Sequence, residues 1–266
     1  MAFEPILLND VESVSVLAPE EWGSISAKVT NYILSDFCFP IKLIVENKIV
    51  GIGACIIHHD IAWLGHIIVD KNEWGKNYGK SITLELIRIA HTHGCRSIQL
   101  IATDMGAYLY HKIGFKESTK YLFFKDIHPI LPDTPDEHIK KYTPDYRNAI
   151  LTMDQSVSGE DRSNELETQL NQSFVYLTDG TLSGYYLPSL GDGLIVAEQR
   201  IAGLALLQFH INSNASLVLP QNNLDAISFL YNAGYKEYRS AKRMYLGEDI
   251  PVKFDAIYNR IGGNIG

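Results

Sequence analysis

Two rhythms of apolar positions run through the chain. Residues 62–69 form an apolar run bounded by Asp70, which predicts a buried strand. Residues 81–93 place Ile82, Leu86, Ile89 and Ala90 at helical spacing, and Gly94 stands where a helix would stop. A second strand is predicted over 97–102, then a helix over 105–113 closed by Gly114 and Phe115. Upstream, the pattern predicts a short strand at 5–8, helix within 20–34, and a hairpin of 41–45 with 49–57. Downstream, a strand at 121–124 precedes a stretch, 126–147, that carries Pro129, Pro132, Pro135 and Pro144 between charges. That stretch reads as a linker with one helical turn near 137–142. Beyond it the rhythm resumes. Strands are predicted at 149–153, 174–177, 183–187, 193–197, 217–219 and 242–246, and helices at 160–170, 199–211 and 222–233.

This alternation describes an α/β (α+β) chain of two units, residues 1–127 and 148–266, joined by the proline-bearing segment 128–147. An internal echo supports a duplication. The stretch from Leu109 to Glu117 matches that from Phe229 to Glu237, with Gly114 and Gly234 in register. Four residues before the glycine, the first copy has Tyr110 and the second Leu230. The second copy also lacks a glycine-bearing loop ahead of its helix.

The most informative segment lies between the strand 62–69 and the helix after it. Trp74, Gly75, Lys76, Asn77, Tyr78, Gly79, Lys80 and Ser81 lead into a helix N-terminus, where free N–H groups and the helix dipole favour an anion. Gly75 and Gly79 allow close backbone approach, and Lys71, Lys76 and Lys80 add local positive charge. On loop character alone, two glycines and three lysines before a helix are more often a plain βα turn with a solvated face.

Composition narrows the class. The chain has 266 residues, 46% hydrophobic and 20% charged, with a net charge of −8, which disfavours nucleic acid as a partner. No apolar run is long enough for a membrane span, and no signal-like leader is visible. Cys38, Cys55 and Cys95 are scattered, as in a reducing cytoplasm. His58, His59, His66, His91 and His93 lack a second ligand pair at zinc-like spacing, so no metal is expected.

Residues 62–115 resemble the GCN5-related N-acetyltransferase (GNAT) superfamily. There an Arg/Gln-x-x-Gly-x-Gly/Ala loop cradles the pyrophosphate of coenzyme A, and an Ala-x-x-x-Tyr-x-x-x-Gly-Phe-like signature follows the next strand. Gly79 matches the last loop glycine, and Ala107 to Phe115 matches the second signature. Trp74 and Asn77 depart from the loop pattern. Further matches, at residues 100–106, 153–154, 159–162 and 242–247, resemble tandem proteins of the YitH-like group, whose second half is a degenerate GNAT domain. The resemblance implies two GNAT-like domains, each a mixed, mostly antiparallel sheet flanked by helices. It implies acetyl-CoA as co-substrate and direct transfer of acetyl to a primary amine, on a small molecule or a peptide. It further implies that Ile67, Ile68 and Val69 pair with the pantetheine arm and that Tyr110 is the general acid. The base is open, with His66 or a chain of waters as candidates. Trp22 and Phe37 are candidates to line the acceptor cleft, or core aromatics. Tyr108 is expected to pack its helix on the sheet. Asp161 and Arg162 read either as a helix-start acid with a surface base or as groups facing a cleft between the halves. Two other functions remain open: a non-catalytic acyl-CoA or amine sensor, and a protein lysine or N-terminal acetyltransferase.

Overall fold

Strand and helix periods resolve into two sheets with helices on their faces. A computed structural model describes residues 1–19, 22–130 and 136–265, with the side chain of Met105 left aside. The first half runs β1 (Ala2–Pro5), α1 (Val11–Ser15), α2 (Ser26–Leu34), β2 (Cys38–Val45), β3 (Lys48–His58), β4 (Ile61–Val69), α3 (Tyr78–Thr92), β5 (Ser97–Ala102), α4 (Asp104–Ile113) and β6 (Lys116–Phe124). The second half runs β7 (Ile139–Lys141), α5 (Arg147–Ser158), α6 (Ser163–Glu167), β8 (Phe174–Thr178), β9 (Thr181–Leu187), β10 (Leu194–Ala197), α7 (Arg200–Ile211), β11 (Leu217–Pro220), α8 (Leu224–Asn232), β12 (Arg239–Gly247) and β13 (Ile257–Asn259).

The larger sheet has the order β1-β2-β3-β4-β5-β12-β6-β11, and the smaller β13-β10-β9-β8-β7. The strand predicted at 242–246, β12, does not complete the smaller sheet of its own half. Instead it inserts between β5 and β6, antiparallel to both, with Met244 opposite Leu100 and Glu117. β6 in turn pairs with β11. Each half's sixth strand therefore stands beside the fifth strand of the other, and the halves share one hydrogen-bonded ladder.

Local expectations fail where a short window hides a longer period. Residues 149–153 are not a strand but the start of α5, whose buried Ile150, Met153, Asp154 and Val157 recur at i, i+3, i+4 and i+7. The helix expected over 160–170 shrinks to α6, because Glu160 and Arg162 turn inward as buried charges. The helical turn near 137–142 is instead the edge strand β7, paired with β8. The N-terminal strand is Ala2–Pro5, followed by a 3-10 turn at Leu8–Asp10. In the 20–34 stretch the helix α2 starts at Ser26; Glu20 and Glu21 lie outside the described residues, as do Pro132 and Pro135 of the linker.

The duplication is visible in backbone geometry. Phe115 N donates to Tyr110 O, and Tyr235 N donates to Leu230 O, each at 3.0 Å. Gly114 and Gly234 both hold the left-handed conformation that ends the preceding helix, with φ of +113° and +88°. At the position of Tyr110 the second copy carries the fully buried Leu230.

Candidate active site

β4 changes character halfway along. Ala54 pairs with Gly65 but Ile52 with Ile68, so β4 has an extra residue there, a bulge. Within it His66 holds φ +49°. The parallel ladder to β5 covers only Ile61–Leu64 opposite Ser97–Leu100. Beyond Leu64 no described strand pairs with β4 on that side, so the backbone of Ile67, Ile68 and Val69 borders an open wedge. Backbone N–H and C=O groups there can pair with an extended ligand as an added strand would.

The loop after β4 folds back onto the end of that strand. Trp74 donates its indole N–H to Val69 O at 2.9 Å, which straps the loop to the strand end. Gly75 and Asn77 take φ +83° and +63°, and Asn77 supplies the left-handed turn where the family pattern has glycine. α3 starts immediately afterwards at Tyr78, with no side-chain cap. Its first N–H groups are therefore donors without an intrahelical partner. Gly79 lies between Val69 and Leu109: an added Cβ would be 3.8 and 3.9 Å from their side chains. Ser81 turns its hydroxyl back onto Asn77 O. Lys76 is engaged with Glu73 at 2.7 Å, while Lys71 and Lys80 are exposed.

α4 brings Tyr110 to the same region. Thr103 caps the helix by accepting from Gly106 N. The Tyr110 ring lies over Gly106, with a ring carbon 3.2 Å from where a Cβ would stand, and meets Phe115 edge-on at 5.7 Å. Burial pushes its hydroxyl up to about 12, so it stays protonated. Tyr108 does not pack the helix on the sheet as expected. It is exposed, with the Lys112 ammonium 4.2 Å over its ring.

His66 packs against α2. Its Nδ1 is 2.9 Å from the Tyr32 hydroxyl of α2, and the half-exposed Trp22 stands edge-on at 6.0 Å. Tyr32 also accepts from the Asn264 amide. Burial, helped by the Lys28 ammonium, pushes the imidazole down to about 4, so it is neutral near pH 7. Tyr32 and Asn264 escape sequence reading, because nothing local marks either as belonging to a site. Phe37 packs on the core between the halves, 6.3 Å from His58.

Behind β4 lies a buried polar layer. Trp63 donates to Glu160 at 2.8 Å, Arg243 donates to Glu160 at 3.2 Å, and the Arg243 guanidinium stacks 4.8 Å from the Trp63 ring. Arg162 grips Asp154 with two 2.8 Å bonds, and Tyr185 donates to the same carboxylate. Arg162 is thus an inward-facing group, not a surface base; Asp161 accepts from Ser163 N outside this layer. These groups join β4 and β12 to α5 and β9. Among the described residues no cluster could hold a metal ion, and no helix is long and apolar enough to cross a membrane. The three cysteines are free and buried, and burial pushes Cys38 up to about 12 and Cys95 to about 11, away from nucleophilic use.

In the second half the corresponding wedge is filled. β13 pairs with β10 and lies against β11, where Val218 N donates to Asn259 Oδ1 at 2.8 Å. Gly203 of α7 lets the Tyr258 ring in, because a Cβ there would stand 2.1 Å from it.

Residues 11–115 match the Acetyltransferase (GNAT) family model. No curated protein matches the chain. A solved acetyltransferase candidate from Pyrococcus horikoshii is 20% identical over 100% of this chain and 95% of its own, with a TM-score of 0.82. A tandem GNAT protein from the clavulanic acid biosynthesis pathway is 12% identical, over 92% of this chain and 98% of its own, with a TM-score of 0.61. A GCN5-related N-acetyltransferase from Anabaena variabilis is 11% identical, over 92% and 72%, with a TM-score of 0.58. At these identities the likeness is one of fold. The chain carries a GNAT-family acetyltransferase domain over residues 11–115 and, across nearly its whole length, shares the fold of a tandem GNAT protein.

Proposed function

We propose that the protein transfers an acetyl group from acetyl-CoA to a primary amine by direct attack, using the wedge of the first half. The observation that carries this reading is the early end of the β4–β5 ladder at Leu64 and Leu100, beside a bulge and facing an uncapped helix N-terminus. The pantetheine arm would pair along Ile67, Ile68 and Val69. The pyrophosphate would sit on residues 74–81, held by the first N–H groups of α3 and by Lys80.

Attack by the amine puts negative charge on the thioester oxygen, which a β4 backbone N–H at the bulge would stabilise. Collapse of that intermediate expels a thiolate, and Tyr110 would donate its proton to the sulfur. Burial keeps this proton in place, and the same desolvation makes the emerging thiolate more basic. An ammonium near pKa ~10 must first lose a proton, and an imidazole at about 4 is a poor acceptor for it. We therefore assign deprotonation to water at the acceptor side and leave His66 neutral. The second half, tied in through β12 and the Arg243–Glu160 contact, would shape the acceptor side. The net charge of −8 favours a cationic amine over an anionic one.

The test is thiol release from acetyl-CoA against a panel of polyamines, aminoglycosides and lysine peptides. Turnover with any amine supports the reading. No release with the whole panel, from protein that binds acetyl-CoA, would leave a binding protein instead.

A further inference from the structure

The segment after β13 crosses from one half to the other. Asn259 lies in the filled crevice of the second half, and Arg260 N continues the contact to Val218 O at 3.2 Å. Ile261 and Ile265 are then buried in the core that contains Trp63 and Tyr32. Asn264 rests on Gly65, the residue before the bulged His66. A Cβ at position 65 would stand 2.4 Å from Asn264 Cβ, so only glycine admits this approach. The strap thus reaches β4 where that strand parts from β5.

From this seat Asn264 Nδ2 donates to the Tyr32 hydroxyl, and that hydroxyl faces His66 Nδ1 at 2.9 Å. A hydroxyl has one proton to give. Its oxygen accepts from Asn264, and His66 Nδ1 is the one described acceptor beside it, so the hydroxyl proton goes to Nδ1, which is then the unprotonated nitrogen. Tyr32 cannot supply this bond as a phenolate, since burial raises its pKa well above the usual range. No described residue bonds His66 Nε2.

We propose that Asn264, acting through Tyr32, is a positioning residue that holds neutral His66 as its Nε2–H tautomer, so that the bulge presents a hydrogen-bond donor and not a base. The ligand group that fits such a donor is a carbonyl oxygen, on the thioester or on the acceptor. The function of this donor rests on the acyl-transfer reading above; the tautomer itself does not.

The test is ¹⁵N NMR of the histidine rings in the full chain without ligand, at pH 7.5, with the His66 signals assigned by their loss in His66→Gln. Wild type is expected to show protonated Nε2 and a bare, hydrogen-bonded Nδ1. In Asn264→Asp the carboxylate can only accept, so Tyr32 turns its proton toward it and accepts from Nδ1–H; the two ring signals exchange. In the Tyr32→Phe background the same Asn264→Asp change should leave the His66 tautomer unmoved. A wild-type Nδ1–H tautomer, as the reversed Asn264 amide would dictate, overturns the proposal. So does a folded Asn264→Asp protein with unchanged ring signals. Should Asn264→Asp fail to fold, Tyr32→Phe alone decides: unchanged His66 ring signals would overturn the relay. Absent turnover in wild type would remove the enzymatic reading and leave the NMR result standing.

Discussion

Acid should weaken this fold through His58 in particular. The residue ends β3, is 2% exposed, and its Nε2 is buried with no hydrogen-bond partner among the described residues. Burial, and next the Arg162 guanidinium, push its pKa down from 6.5 to about 4, against the opposing pull of Asp154 and Asp161. A base with a depressed folded pKa binds its proton first in the unfolded chain. Stability is then full above pH 6.5 and is lost as the pH falls toward 4. The whole shift corresponds to about 3 kcal/mol, of which about 2 kcal/mol is already lost at pH 5. His58→Leu keeps the volume beside Phe37 and removes the titration. Urea unfolding of wild type and variant, at pH 7 and pH 5, isolates the effect from other groups. The variant should match wild type within about 1 kcal/mol at pH 7, then gain about 2 kcal/mol on it at pH 5. An unchanged difference between the two pH values would refute the reasoning, because it would mean the imidazole titrates alike in both states.

Other substitutions probe the remaining contacts. Tyr110→Phe should lower kcat by about 10²- to 10⁴-fold with little change in acetyl-CoA affinity; an unaltered kcat would remove the acid role. Gly203→Ala pushes a methyl into the Tyr258 ring and should cost about 1–3 kcal/mol by denaturant midpoint, whereas no loss would mean that β13 is not pressed against α7. Arg162→Met strands the Asp154 carboxylate and should cost about 3–5 kcal/mol, while Arg162→Met with Asp154→Leu should recover most of it. A double-mutant cycle showing simple additivity would contradict that pairing.

How far the sequence reveals this molecule depends on the range of each interaction. The strand–loop–helix order of residues 62–115 is legible because every segment carries its own period, and the Gly114 and Gly234 echo exposes the duplication. The β12 exchange is not legible. An apolar strand such as 242–246 fits either sheet, and only tertiary packing decides that Met244 faces Leu100. Residues 149–153 mislead because five apolar-rich positions suit both periods until Val157 is included. At the site, the turn residues Gly75 and Asn77 show their conformational need locally. The Asn264–Tyr32–His66 contact does not, since it joins a helix, a strand and a distant strap. The bulge at His66 also leaves no local trace: it follows from register against β3, not from any turn residue.

Isothermal titration of acetyl-CoA into the full chain tests the central claim most directly. Wild type should bind in the micromolar range with one site, and Gly75→Val with Gly79→Val, checked for fold by circular dichroism, should lose that binding. No heat of binding to wild type, or equal binding to both proteins, would contradict the assignment of the wedge and its loop as the acetyl-CoA site.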